Sequence, residues 1–576
     1  MSHLKTFLNY AGFPPLLIWI IVGIMMRFAR LSALPPWTDE FATMVFSVGN
    51  GFENVPLDEI INPLTLLAPM VISPETTLGD TIHHLFAEST HPPVYFLLAH
   101  GWLKGWATDE GLASITAARS LSALFGVALI PAMYGLGWVM FRSRLAAQAC
   151  AGIMAISPFA VFISREARHY TFVLLLAIAS LTCLFVAVRK LNHQSSLNWL
   201  VAATWIAINS LGIATHYFFS LLLAAEGIIV LGLAGRDRAG LGKGYWWRIY
   251  LVALGTLAGC LVWLPVLGEI YNSAPTQWIQ DGDPLGDWIS PLLRLLLWGM
   301  SMMVLLPSSV TTHLPLAVVI VSGVMTFAFL GWSIPVLIRC LRTEMENQDD
   351  TPLIVFSLLG YIGAAIVIVL GFTYGLKMDL TLAARFQFFY YPPVLALLGA
   401  SLAAGWKGHP PRSRPQTRLA PLTVVSVLGL AMVSGVTVVW DLGYLQNHRP
   451  DLLVSVIREA SQAPPLIATT HKHHGQTGRM MGVAWEFQRL EKAGEPITAP
   501  QFFLAHREPD VRTYAPAIAQ LLEQMNDFPR PFDLWLVDFH ASVDLTSEGC
   551  QRDRQYQGVI GEYDYELYRC QGKGNE

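Results

Sequence analysis

The sequence predicts a polytopic α-helical membrane protein with about eleven transmembrane helices, outer-face interfacial helices and a small C-terminal α/β extracytoplasmic domain. Three observations predict it. Of 576 residues 53% are hydrophobic and only 14% charged, with a mean hydropathy of +0.45, whereas soluble domains carry about 25% charged residues. Apolar runs approaching the roughly 20 residues that a span needs recur up to about residue 440 and then stop. The charges between the runs are sorted by sign from loop to loop, as the positive-inside rule demands of a multi-pass chain.

The runs lie near 13–34, 115–140, 145–163, 170–188, 198–214, 217–234, 249–268, 314–338, 352–374, 386–404 and 419–440. The first resembles a signal peptide in length, but Arg27 and Arg30 interrupt its end and no small-residue cleavage site follows, so it reads as a retained helix whose arginines snorkel. With the N-terminus inside, the connections carrying Arg142 and Arg144, Arg189 and Lys190, Arg236, Arg238, Lys243 and Arg248, Arg339 and Arg342, and Lys407, Arg412, Arg414 and Arg418 all face the cytoplasm. The first outer loop, 35–114, holds one basic residue, Lys104, against ten carboxylates. Two further apolar runs, 91–106 and 288–310, break this parity if they cross and are read as helices lying in the outer interface.

Residues 1–440 thus form a transmembrane domain and 441–576 an extracytoplasmic one of soluble composition. In the latter, 534–537 and 565–568 read as strands, and 479–492 and 511–525 as helices. Cys550 and Cys570 can pair across a strand hairpin in an oxidising compartment. Cys150, Cys183, Cys260 and Cys340 sit in or beside spans and read as packing or lipid-facing residues. No dinucleotide fingerprint, Walker loop or internal repeat is evident, which argues against an ATP-driven pump.

Polar residues gather at the outer ends of spans: Asp39 and Glu40; His91, Pro92, Pro93 and Tyr95; Ser164 through Tyr170; His216 and Tyr217; Lys377 and Arg385. Such residues at the edge of hydrocarbon need partners or a task. Arg165 and Arg168 are three apart, so a helical continuation would project both from one face to grip a phosphate; anchoring the helix is the alternative. Asp39 and Glu40 are candidate bases or solvated loop carboxylates. A like-charged neighbour and burial raise a carboxyl pKa, and nearby arginines lower it. His91, Tyr95, Tyr170, His216 and Tyr217 are candidate substrate contacts that also suit an interfacial belt. His471, His473 and His474 lack a matching acid or cysteine pattern, so no metal site is assigned to them.

The order of these pieces resembles the lipid-linked-sugar glycosyltransferases of membrane clan C, in the branch of the protein O-mannosyltransferases and the lipid A aminoarabinose transferase. The resemblance covers roughly 13–400. It rests on Asp39-Glu40 after the first helix, His91-Pro92-Pro93 before a short interfacial helix, Arg119 opening the next span, and the stretch Ser164-Arg165-Glu166-Ala167-Arg168-His169-Tyr170. It implies a membrane-bound hexosyl-, mannosyl- or pentosyltransferase of the cell envelope. Its donor would be a polyprenyl-phosphate sugar and its acceptor a glycan, lipid or protein; no nucleic acid is implied. Asp39 would be the catalytic base with Glu40 supporting it, and Arg165, Arg168, Arg385 and Lys377 would hold the donor phosphate. Some clan members use a divalent cation, and that cofactor is left open. The stretch after 440 does not resemble the family's better-known sugar-binding modules, so the acceptor stays open too.

The chemistry agrees. A polyprenyl phosphate is already a good leaving group, so one base and a cationic clamp suffice, without the two carboxyls of glycoside hydrolysis. Trp278, Trp288 and Trp298, near the second interfacial run, are belt or sugar-stacking candidates. The rival reading is a lipid or polysaccharide transporter or flippase. Transporters usually show internal repeats and helices broken at the midplane, whereas here the polar residues gather at one face.

Overall fold

The computed structural model describes residues 15–270, 274–280, 282, 284, 286–308, 314–347, 350–407, 419–443, 448–495, 498–507 and 513–571. Arg412, Arg414 and Arg418 lie outside the described residues. In chain order the longer helices begin with α1 (Pro15–Phe28), α2 (Thr38–Ser47), α3 (Leu78–Glu88), α4 (Val94–Leu103), α5 (Ile115–Phe141), α6 (Arg144–Ile156), the short α7 (Pro158–Ser164) and α8 (Tyr170–Asn192). They continue with α9 (Trp199–Ile213), α10 (Phe219–Arg236), α11 (Trp247–Leu261), α12 (Ile289–Ser301), α13 (Leu316–Asn347), α14 (Thr351–Leu370) and α15 (Tyr391–Lys407). The last are α16 (Ala420–Val439), α17 (Pro450–Ala460), α18 (His474–Lys492) and α19 (Ala515–Asp527). The strands are β1 (Ile60–Ile61), β2 (Pro465–His471), β3 (Gln501–His506), β4 (Phe532–Val537), β5 (Cys550–Ile560) and β6 (Tyr563–Cys570).

Among the described residues six helices, α5, α8, α10, α13, α14 and α16, are long and apolar enough to cross a membrane, and the pair α6 and α7, bent by 55°, makes a seventh. The protein is a multi-pass membrane protein. At the other four predicted spans, α1, α9, α11 and α15 have 14, 15, 15 and 17 residues, so eleven crossings require them to be completed by flanking residues. The helices at the two runs read as interfacial, α4 and α12, have 10 and 13 residues, short of the roughly 20 that a span needs.

The chain resolves into two compact units: residues 1–30, 119–272 and 276–445 form one, and residues 31–118, 273–275 and 446–576 the other. In the first, the membrane unit, the α6–α7 bend has a local cause. Pro158 opens α7 without an N–H, leaving carbonyls of the preceding turn without helical donors. Arg27 supplies them: its guanidinium donates to Met154 O and Ala155 O, both at 2.9 Å, and to Gly23 O at 3.2 Å. Arg27 is 0% exposed, which corrects the expectation that it snorkels. Ser157, at the break, donates to Met302 O and accepts from the Tyr391 hydroxyl, each at 2.7 Å. Cys150 is packed rather than lipid-facing, its sulfur beside Gly137 and Gly399.

The second unit joins the stretch after α1, residues 31–118, to the C-terminal part. Its six strands run in the order β1-β3-β2-β4-β6-β5. β2 is parallel to β3 and β4, and the other pairings are antiparallel. The edge strand β1 comes from the loop between α2 and α3, pairing Ile60 with Phe503 and Ile61 with Phe502. Leu466, Phe503, Leu534 and Leu521 are fully buried in the core beneath it. Cys550 and Cys570 face each other across β5 and β6 and form the disulfide. The predicted strands fall within β4 and β6. The predicted helix 479–492 begins earlier, at His474, because His473 caps it, its Nδ1 accepting from Gly475 N at 3.0 Å. Residues 511 and 512 of the other predicted helix lie outside the described residues; α19 begins at Ala515.

Candidate active-site residues

In the second unit Asp39 sits on the first turn of α2. Pro35 and Pro36 favour an extended lead-in, and Trp37 is extended, at φ −99° and ψ 173°, so the helix starts at Thr38. Glu40 is 1% exposed and folds back to accept from Trp37 N at 3.3 Å, satisfying an N–H at the start of the helix. The acidic pair therefore divides. Glu40 orders the turn, while Asp39 is half-buried on the first turn of the helix.

The C-terminal elements hold this turn from outside the first loop. The Thr38 hydroxyl hydrogen-bonds His448 Nδ1 at 3.0 Å. Helix α18 presents two glycines four apart, one per turn on one face. A Cβ on Gly478 would lie 3.1 Å from Thr38 Cγ2 and 3.2 Å from Thr38 O, and one on Gly482 would lie 3.4 Å from Pro36 O. Their missing side chains let α18 approach the backbone that carries Asp39. At its first turn the His474 ring stacks on Phe52 at 5.2 Å and meets Phe46 edge-on at 5.8 Å. Burial and then His473 push the His474 imidazole down to about 4, opposed by the Asp39 charge. Sequence reasoning missed this role for His474; the i, i+4 glycines after it were the available signal.

His471 bonds the Thr477 hydroxyl at 2.9 Å, so the three histidines cap and pack α18. No group of three or more metal-ligating side chains occurs among the described residues. His91 is half-buried, its Nδ1 3.2 Å from Ser89 Oγ and its ring edge-on to Phe96 at 6.0 Å. Tyr95 is 1% exposed and belongs to the core.

In the membrane unit, residues 165–169 form an irregular turn between α7 and α8, not the helical continuation expected from the arginine spacing. Ser122 pins that turn, donating to Arg168 O at 2.8 Å and accepting from Arg168 N at 3.2 Å. The two arginines separate as a result. Arg165 donates to Ala29 O and, at 3.1 Å, to Arg30 O, satisfying carbonyls just past the end of α1. Arg168 is 2% exposed, its guanidinium 5.8 Å from the centre of the Tyr170 ring.

Buried rings surround this turn: His216 lies 4.7 Å from His169, 5.7 Å from Tyr170 and 5.6 Å from Phe388. Burial, then the charges of Arg168 and Arg385, push His216 down to about 3, so at neutral pH it is uncharged. Its Nδ1 accepts from Phe218 N at 3.0 Å, which leaves the proton on Nε2 as a donor. Arg385 is half-buried on a 3₁₀ turn, Ala384–Phe389, with its guanidinium 5.7 Å from the Phe386 ring centre. The membrane unit thus brings Arg168, Arg385, Tyr170 and His216 together. Tyr217 turns to Trp263 at 5.8 Å, and Lys377 is exposed in the turn after α14 at a φ of 56°. Arg119 is buried within α5. Among the tryptophans, Trp278 stacks on Phe386 at 5.9 Å and Trp288 is exposed. Trp298 is buried and donates to Thr381 O at 2.7 Å, a structural bond rather than a sugar platform.

No family model matches the sequence, and no curated protein does. Among solved structures, ArnT from Cupriavidus metallidurans bound to undecaprenyl phosphate is similar, with 11% identity and a TM-score of 0.47 over 96% of this chain and 97% of that one. The archaeal oligosaccharyltransferase AglB from Archaeoglobus fulgidus, in complex with an inhibitory peptide and a dolichol-phosphate, is 12% identical over 83% of this chain and 64% of its own, with a TM-score of 0.43. These neighbours are membrane glycosyltransferases of clan C. At such identities and TM-scores the likeness assigns neither substrate nor residues, and both are read from the chain itself.

Proposed function

We propose that this chain transfers a sugar from a polyprenyl-phosphate-linked donor to an acceptor hydroxyl on the outer side of the cytoplasmic membrane, with inversion at the anomeric carbon. The observation that carries the reading is the grouping of Arg168 and Arg385 about neutral His216 in the membrane unit. Two cations, a neutral N–H donor and the Tyr170 ring suit a phosphate attached to a lipid. Undecaprenyl phosphate and dolichol-phosphate, the lipids in the two structures above, belong to the chemical class of this donor. A polyprenyl tail keeps it in the bilayer, since each buried methylene contributes about 0.8 kcal/mol.

In the proposed reaction the Asp39 carboxylate takes the acceptor hydroxyl proton as that oxygen attacks the anomeric carbon. The bond from that carbon to the phosphate oxygen breaks, and the electron pair leaves with the polyprenyl phosphate, whose new charge Arg168 and Arg385 stabilise. A single displacement inverts the centre. Arg165 supports the clamp by ordering the end of α1, and Glu40 supports the base through the α2 cap. The sugar, whether hexosyl, mannosyl or pentosyl, and the acceptor, whether glycan, lipid or protein, are set by contacts outside this core.

The test uses the full chain reconstituted in proteoliposomes with labelled polyprenyl-phosphate sugars and an envelope lipid and glycan extract as acceptor. The proposal expects label to move to an acceptor with release of polyprenyl phosphate. Movement of the intact labelled donor across the bilayer without transfer would support a flippase instead.

A further inference from the structure

Arg294 has no part in the chemistry proposed above, yet it occupies the polar side of an otherwise apolar interfacial helix. On α12, Ile289, Leu292, Leu293 and Leu296 are exposed, the spacing of one apolar stripe. Arg294 and Trp298, four residues apart on another stripe, both reach the loop that leads to Arg385. Arg294 Nε donates to the Thr381 hydroxyl at 2.9 Å, its Nη2 donates to the Asp379 carboxylate, and Trp298 Nε1 donates to Thr381 O at 2.7 Å. Asp379 is 3% and Thr381 0% exposed. The other Asp379 oxygen closes the loop by accepting from Thr381 N at 2.9 Å and from its hydroxyl at 2.6 Å. Gln387 then donates to Leu380 O at 2.9 Å, bridging this turn to the 3₁₀ segment that carries Arg385.

We infer that Arg294 is a positioning residue for the donor phosphate, fixing the 379–389 loop and with it Arg385. The inference rests on the reading of Arg385 as a phosphate ligand. The physical basis is ordering: a half-buried guanidinium on an irregular loop binds an anion well only if the loop is already held. Arg294 holds it through a charge-assisted bond to a buried carboxylate, stronger than a neutral hydrogen bond. The same bond ties the loop to an amphipathic helix whose apolar stripe suits the lipid interface.

The experiment follows the full chain in lipid nanodiscs, comparing wild type with Arg294→Ala, Arg294→Lys and Trp298→Phe. It reads hydrogen exchange of the 380–389 amides, binding of undecaprenyl phosphate, and the kinetic constants for donor. Arg294→Ala is expected to speed exchange in 380–389 and to weaken undecaprenyl phosphate binding, each about tenfold, and to raise donor KM with kcat kept within about threefold. Arg294→Lys, which keeps the charge opposite Asp379, should recover much of this. Should Arg294→Ala fail to fold, Trp298→Phe removes one bond to the same loop and should shift exchange and binding the same way by a smaller factor. Unchanged exchange, or faster exchange with unchanged lipid binding, would overturn the inference. A wild type that binds undecaprenyl phosphate but transfers no sugar would overturn the transferase reading alone, because the effect of Arg294→Ala on binding would still be measurable.

Discussion

Both units pair arginines with carboxylates, Arg189 with Asp350 and Arg294 with Asp379 in the membrane unit among them, but two arginines of the membrane unit are satisfied in another way. In the second unit the partners are carboxylates: Arg479 meets Asp538 at 3.0 Å, Arg449 meets Asp451 at 2.6 Å, and Arg569 meets Asp533 at 2.8 Å. In the membrane unit Arg27 and Arg165 bond backbone carbonyls freed by a proline break and by a helix end. A carboxylate cancels a guanidinium's charge, whereas a carbonyl satisfies its hydrogen bonds and leaves the charge in place. Arg27 and Arg165 thereby tie α1 to the α6–α7 bend and to the turn that bears Arg168. In the second unit these three pairs are internal, and Asp39 stands on the first turn of α2.

The largest effect that would break this contrast lies in the membrane unit. Arg168→Ala is expected to reduce kcat/KM for a polyprenyl-phosphate sugar by about a hundredfold or more, through loss of charge-assisted bonds that strengthen as the phosphate leaves. A steady-state assay checks it, and an unchanged kcat/KM would return Arg168 to a structural role. Next comes the disulfide. Opening Cys550–Cys570, 20 residues apart in sequence, with Cys550→Ala and Cys570→Ala together should cost about 3 kcal/mol, read as a lower unfolding midpoint for the second unit. Gly478→Ala places a methyl against Thr38 and should destabilise the α2–α18 contact by about 1–3 kcal/mol, with a larger loss of kcat than of donor binding.

The smallest effect concerns pH. His471 is pushed down to about 3, by burial first and then by its neighbouring histidines, and His474 to about 4. Both folded values lie below the unfolded value near 6.5. The stability they contribute is thus complete above pH 6.5 and is lost as pH falls toward 4, with a slope of about 1 kcal/mol per pH unit for each histidine. Thermal melts between pH 7 and 4 should show it, and His474→Phe should flatten part of the slope.

Much of this was legible in the sequence. Helices stand at the eleven apolar runs because apolar length is a local property, and β4 and β6 fall where alternation and aromatic content placed them. The disulfide was legible from two cysteines in a segment of soluble composition beside a strand reading. Interactions joining distant residues were not. Arg27 read as a snorkelling cation because nothing near it reveals that Pro158 frees carbonyls at Met154 and Ala155. Arg165 and Arg168 read as one clamp because three-residue spacing implies a helix, and the Ser122 bonds that fix an irregular turn there lie in another segment. β1 is two isoleucines long, too short for any periodicity. Of the acidic pair, the sequence offered both carboxylates as candidate bases, while the geometry that distinguishes Glu40 from Asp39 required coordinates.

The role proposed for Asp39 is removal of the acceptor's proton. Its most direct test is kcat and donor KM for Asp39→Asn in reconstituted vesicles with a labelled polyprenyl-phosphate sugar. The account predicts a kcat lowered by about a hundredfold to ten-thousandfold with donor KM within about threefold of wild type. Undiminished turnover in a correctly folded Asp39→Asn chain would contradict it.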